Sequence, residues 1–98
     1  MDVTRDKVFK VYVEYCNAWG YGSYVQRLRN ELLQHYPNAQ LQGKPIPGGT
    51  GCLEVFVFPD VNGTEKHLVH SKLNGDGVIK AKNVRSIVEK IAKIIEKE

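Results

Sequence analysis

The chain has 98 residues, of which 42% are hydrophobic and 26% charged, with a net charge of +3. That is the make-up of one ordinary domain, residues 1–98, with room for one modest core. Two cysteines cannot build a disulfide scaffold, the polar start MDVTRDK has no apolar run of signal-peptide type, and no later stretch is long enough to span a membrane, so reduced thiols and a cytoplasmic location are expected.

Residues 8–15 alternate. Phe9, Val11, Val13 and Tyr15 make one apolar face, Lys10 and Glu14 lie on the other, and this predicts a first strand. A glycine-bounded turn, CNAWGYG, follows. Ser23 and Gln26 have capping-box spacing and open an expected helix whose stripe is Val25, Leu28, Leu32 and Tyr36, with Leu33 at its edge. Pro37-Asn38 ends it. Residues 39–42 are a short strand candidate, and Gly43–Gly51 is expected to be a loop without the Gly-Lys-Ser/Thr of a phosphate-binding P-loop. Residues 52–58 are rich in β-formers. The turn PDVNGT, in which Asn62-Gly63 favours positive φ, leads to a return strand over 66–71 and so to a hairpin. The tripeptide Asn62-Gly63-Thr64 also matches a glycosylation sequon, and without a secretory signal it reads as that turn. Lys72–Gly77 is a further turn. Val84, Ile87, Val88, Ile91, Ile94 and Ile95 then mark a second amphipathic helix.

The positive excess lies in residues 80–98, with six basic side chains against three acidic ones. Interleaved aromatics and Arg clusters are absent there, so a solvated helix face is expected rather than a nucleic-acid surface. His67 and His70, three apart on a strand, are expected to face opposite ways, and no metal-ligand spacing is present. His35, near a helix C-terminus, suits the helix dipole.

The expected order is strand, helix, strand, hairpin, helix. The first three form a right-handed parallel crossover, and the whole is an α/β, thioredoxin-like β-α-β-β-β-α fold with a mixed four-stranded sheet. Cys16 then falls at the carboxyl end of the first strand, where such sheets place their sites.

Three segments carry a resemblance: YCNAWGY before a helix ending in YP, then GGTGCLEV, then HLVHSKLNGDGV. Together they resemble the Rdx family of selenoprotein W-type proteins. There the first strand ends in Cys-x-x-Sec or Cys-x-x-Cys, followed by Gly-Tyr, as Gly20-Tyr21 stand here. A Thr-Gly-x-x-Glu-Val strand start matches Thr50 to Val55, and His-Ser-Lys-x-x-Gly-Asp-Gly matches His70 to Gly77. The likeness runs from about Val8 to Ile95. It implies a thioredoxin-like fold and redox activity with glutathione as co-substrate and no bound cofactor. It also implies 14-3-3 proteins as partners. It carries the motif cysteine onto Cys16 and the selenocysteine position onto Trp19, with Tyr15, Asn17, Ala18, Gly20, Tyr21, Thr50 and Gly51 flanking the site.

Two departures matter. Trp19 has no redox chemistry, whereas a thiol–disulfide cycle needs one group to attack and a second to resolve. Cys52 stands where the family pattern has an aromatic. The selenocysteine codon UGA and the tryptophan codon UGG differ by one base, so Trp19 can replace a natural selenocysteine and leave the chain weak or inactive. The other reading is a genuine tryptophan in a redox-dead interaction module that uses the Cys16–Tyr21 turn. Cys52 is either an accessory thiol able to approach Cys16 or a buried strand cysteine.

Overall fold

A computed structural model describes residues 3–97. After a 3-10 turn at Val3–Asp6 come β1 (Lys10–Cys16), α1 (Gly22–His35), β2 (Gln40–Ile46), β3 (Leu53–Phe58), β4 (His67–Ser71) and α2 (Val84–Ile95). The strands form one sheet in the order β2-β1-β3-β4. β1 pairs parallel with β2 and antiparallel with β3, and β3 pairs antiparallel with β4. This mixed sheet with two helices is the expected thioredoxin-like arrangement. No helix among the described residues is long and apolar enough to cross a membrane.

The core follows from the periodicities. Phe9, just before β1, alternates with Val11 and Val13 on it, as Leu53, Val55 and Val57 do on β3, and all are buried. Val25, Leu28 and Leu32 of α1 and Val84, Ile87, Val88, Ile91 and Ile95 of α2 close over them. Each such side chain contributes roughly 1.5–3 kcal/mol on burial. The two helices pack on each other, and the Phe9 ring meets Tyr36 edge-on at 5.3 Å, tying the entry to β1 to the end of α1. The other face of the sheet carries Tyr12, Phe56 and Phe58. Lys10 Nζ stands 4.4 Å from the Phe58 ring centroid and Lys66 Nζ 4.7 Å from that of Phe56.

Four local expectations are corrected. β2 runs on to Ile46, so Gly43–Ile46 is strand rather than loop. A Cβ at Gly43 would lie 3.3 Å from both Tyr15 Cε1 and Val25 Cγ1, so the absent side chain makes room for the Tyr15 ring. Pro45 is tolerated because β2 is an edge strand. The Ser23–Gln26 capping box does not form. The N-cap is Tyr21, without a side-chain cap, and Gln26 instead donates to Asn30 Oδ1 at 3.0 Å and accepts from Arg29 at 3.2 Å. In the hairpin turn neither Asn62 nor Gly63 has positive φ, and Asp60 organises it: its carboxylate accepts from Asn62 N–H at 2.9 Å and its carbonyl from Gly63 N–H at 3.0 Å. Finally, the β3–β4 register slips between Val55↔His70 and Phe56↔Leu68, leaving Val69 as a bulge. His67 pairs with Val57 and His70 with Val55, so the bulge returns both histidines to one face, against the expectation of opposite faces.

Candidate functional site

Cys16 is the last residue of β1. Its N–H donates to the Cys52 carbonyl at 2.8 Å, and Asn17 N–H donates to Ile46 O at 3.3 Å, so the strand end is held from both neighbours. The chain then turns. Gly20 N–H reaches Asn17 O at 3.1 Å with Gly20 at φ +73°, and Tyr21 N–H closes back on Cys16 O at 3.4 Å. Cys16 and Tyr21 are buried, whereas Asn17, Ala18, Trp19 and Gly20 are exposed. The surface of the expected Cys16–Tyr21 turn is thus its four central residues. Tyr15 is turned away from it, packed on Gly43 and the start of α1.

Trp19 is 54% exposed, yet it is seated. A Cβ built on Gly51 would lie 2.5 Å from Trp19 Cζ3 and 2.8 Å from Cη2, and one built on Gly49 would lie 3.5 Å from the indole nitrogen. The indole therefore lies on the backbone that leads into Cys52. Gly51 also has φ +73°, a conformation open mainly to glycine. Tyr21 meets Trp19 edge-on at 5.8 Å and Tyr24 at 5.2 Å. The Lys72 ammonium stands 5.5 Å from the Trp19 ring centroid and 5.8 Å from that of Tyr21. Thr50, two residues before Cys52, is exposed and its hydroxyl accepts from Cys52 N–H at 3.4 Å.

Lys72 was not among the residues singled out by sequence reasoning. It enters the sequence reading only as the fixed lysine of the His-Ser-Lys pattern, at the start of an expected turn, and that pattern was the available signal. Its position is set by a network. Glu54, buried at the start of β3, accepts from Ser71 Oγ, from Leu53 N–H at 3.2 Å and from Leu73 N–H at 3.3 Å. Asp76 accepts from Ser71 N–H at 2.9 Å, Lys72 N–H donates to Leu53 O at 3.1 Å, and a His70 ring nitrogen pairs with Gly77 O at 2.8 Å. Each of these bonds is made by a residue of the second or third motif segment. Their joint effect is to hold Lys72 over position 19.

The β1–β3 register ends with Tyr15 opposite Leu53, and one step further Cys16 N–H donates to Cys52 O at 2.8 Å, so the two cysteine backbones adjoin. Opposed residues of an antiparallel pair share a face and have Cα atoms about 4.5–5.5 Å apart, inside the range a disulfide spans. Both cysteines are free thiols; Cys16 is fully enclosed and Cys52 is 6% exposed. The sequence left open whether they meet, and the fold makes them neighbours.

The other polar groups stand apart. His35 pairs with Glu31 at 3.1 Å and His67 with Glu65 at 2.6 Å. Among the described residues no group of three or more His, Cys, Asp or Glu side chains could hold a metal. Lys80, Lys82, Arg85, Lys90, Lys93 and Lys97 are all exposed. A groove of about 770 Å³ between the helices, lined by residues such as Gln26, Asn30 and Arg85, does not reach Cys16, Trp19 or Cys52.

Comparison with known proteins agrees with this layout. Residues 10–90 match the Rdx family. The chain is 42% identical over 71 residues to selenoprotein W of Danio rerio, covering 71% of this chain and 74% of that one. It is 41% identical over 71 residues to selenoprotein W of Gallus gallus, covering 71% and 75%. It is also 36% identical over 93 residues to human selenoprotein V, covering 94% of this chain and 25% of that protein. With its three motif segments meeting around one turn, the chain belongs to the Rdx family.

Proposed function

We propose that this chain is a selenoprotein W-like thiol or selenol redox protein, linked to glutathione and acting in the cytoplasm. Cys16 and position 19 are its redox positions, and Trp19 stands where the working protein has selenocysteine. The observation that carries this reading is the setting of position 19. It lies on Gly51 of the second motif segment and beside Lys72 of the third, one turn after Cys16 of the first. An indole has no need of a nearby ammonium group held by a buried carboxylate network. A selenolate or thiolate does, because an adjacent positive charge favours the ionised, nucleophilic form. The chain with Trp19 keeps only the thiol half of that motif.

Mass spectrometry of residue 19 in protein from its natural source tests the reading. Selenium there is the expected result, and tryptophan encoded by UGG would overturn it. On the recombinant chain, Trp19→Cys is expected to bring out glutathione-dependent hydroperoxide reduction that Cys16→Ser removes.

A second reading has its own observation. Trp19 is more than half exposed beside Lys72, and aromatic side chains with a basic neighbour are typical anchors of protein interfaces. On this reading the turn is a docking surface, with 14-3-3 proteins as the partner class. Binding of a 14-3-3 protein that Trp19→Ala abolishes, with the fold intact, would favour it.

A further inference from the structure

We infer that Cys16 and Cys52 form a cross-strand dithiol that closes reversibly to a disulfide, with Cys52 as the thiol that meets the oxidant and Cys16 as the resolving thiol. The inference rests on the redox reading only in placing thiol chemistry at the end of β1; it needs neither selenium nor a second sulfur at position 19.

The geometry sets the pairing. Cys16 N–H donates to Cys52 O at 2.8 Å, and the return bond is not made: Cys52 N–H donates to Thr50 Oγ1 at 3.4 Å and Cys16 O accepts from Tyr21 N–H, so the ladder ends at this pair. Opposed residues of an antiparallel pair have Cβ atoms about 4.5–5.5 Å apart, whereas a disulfide brings them to about 3.5–4.5 Å. Closing the bond therefore draws the strand ends together by roughly 1 Å. This is feasible where it happens, because Cys16 ends β1 and Cys52 precedes β3, flanked by Gly51 at φ +73°. A bond that must pull the strand ends together is also easily reduced, as labile and regulatory disulfides are.

Burial sets the order. Cys16 is completely enclosed and Cys52 keeps a 6% opening, next to Gly51 on which the Trp19 indole lies. An oxidant entering from solvent meets Cys52 first.

The step balances with a hydroperoxide. The Cys52 thiolate attacks the terminal peroxide oxygen, the O–O bond breaks, and the alcohol leaves with a proton, giving Cys52 sulfenic acid. The Cys16 sulfur attacks that sulfur, the S–S bond forms, and hydroxide leaves as water with the Cys16 proton. Two thiols have lost two electrons and the peroxide has gained them. Two equivalents of a low-molecular-weight thiol such as glutathione return both cysteines and leave as their own disulfide.

The test uses the chain as it stands, with Trp19. One equivalent of tert-butyl hydroperoxide is added, remaining thiols are alkylated under denaturation, and the protein is digested without reductant. Trypsin cuts between the cysteines at Arg27 and Arg29. The expected result is loss of both thiols together and a linked Cys16–Cys52 peptide within one chain, restored to thiols by glutathione. Cys52→Ala should leave Cys16 reacting at least about tenfold more slowly, whereas Cys16→Ala should leave a Cys52 sulfenic acid that dimedone traps. Trp19→Ala keeps both thiols and should speed closure several-fold by uncovering Gly51, so the idea stays testable if a cysteine variant fails to fold. No linked peptide, linkage only between chains, or Cys16 reacting first would overturn it. The two proposals separate cleanly. Glutathione peroxidase activity of Trp19→Cys without any Cys16–Cys52 linkage sinks the dithiol alone, and linkage without that activity sinks the motif reading alone.

Discussion

Gly51→Ala is the substitution whose effect the structure specifies most fully. Two penalties arise. At φ +73° an alanine is in the left-handed region, which costs about 1–2 kcal/mol. Its Cβ would also lie 2.5 Å from Trp19 Cζ3, 2.8 Å from Cη2 and 3.2 Å from Cε3, against about 3.5–4.0 Å for normal carbon contacts. The indole must lift by roughly 1 Å or more, since backbone on one side cannot yield. Returning about 40 Å² of ring surface to water at about 25 cal/mol/Å² adds about 1 kcal/mol. The total is about 2–3 kcal/mol. Gly20→Ala is the control, with the same φ of +73° and nothing within 4 Å of a new Cβ, so only the backbone penalty of about 1–2 kcal/mol remains. Urea denaturation of the two variants, alone and in a Trp19→Ala background, reads the difference. Trp19 is the only tryptophan, so fluorescence reports its lifting directly as a red shift. In Trp19→Ala the Gly51→Ala cost should fall to that of Gly20→Ala. Equal costs for the two glycines in the unmodified chain, or a Gly51 cost unchanged by removing the indole, would refute the reasoning.

Other expectations follow from the same site. Lys72→Ala should lower stability by at most about 1 kcal/mol, the size of an exposed cation–π contact. In a Trp19→Cys chain, however, it should slow alkylation of the introduced thiol by several-fold near neutral pH; an unchanged rate would remove the role assigned to the ammonium group. Glu54→Ala should cost about 3 kcal/mol in chemical denaturation, because Ser71 Oγ and the Leu53 and Leu73 N–H groups lose a charged acceptor. A loss below about 1 kcal/mol would mean water replaces the carboxylate without penalty. Trp19→Cys should raise glutathione-dependent peroxide turnover by at least about tenfold over the chain as written, since a resolving or attacking group returns to position 19. No gain in a folded variant would count against the redox positions.

The helices and the inner strand faces were legible because their burial is periodic. Val84 to Ile95 announce one face of a helix, and Phe9, Val11 and Val13 one face of a strand, before any contact is known. β2 was only half legible. Its second half, GKPI, has loop composition, and it is strand because Tyr15 needs the space above Gly43 and because Pro45 sits on an edge. The Ser23 box failed for a related reason: the tight turn closing on Cys16 O delivers the chain into helical geometry at Gly22, before Ser23 can serve as a cap. The β4 bulge leaves no mark in HLVHS, and so the side taken by the histidines had to come from register. At the site, the motif residues were legible as a pattern but their mutual arrangement was not. Lys72 over Trp19 depends on the Glu54 bonds to Ser71 and Leu73, which link residues 17 and 19 apart in the chain, together with the local Asp76–Ser71 bond. Cys16 beside Cys52 depends on which residues face each other across β1 and β3.

The uncovered face of the sheet has a consequence for how the molecule behaves in a crowded solution. Tyr12, Phe56 and Phe58 form a flat aromatic surface of the kind that stacks face to face between molecules. Lys10 and Lys66 hold their hydrated ammonium groups over two of those rings, Phe58 and Phe56. A neighbouring copy approaching this face must strip two hydrated cations first and meets like charge. The lysines thus act as colloidal spacers. Neutralising both at once, as lysine acetylation does, would leave the fold unchanged and turn the outer sheet into a self-adhesive surface.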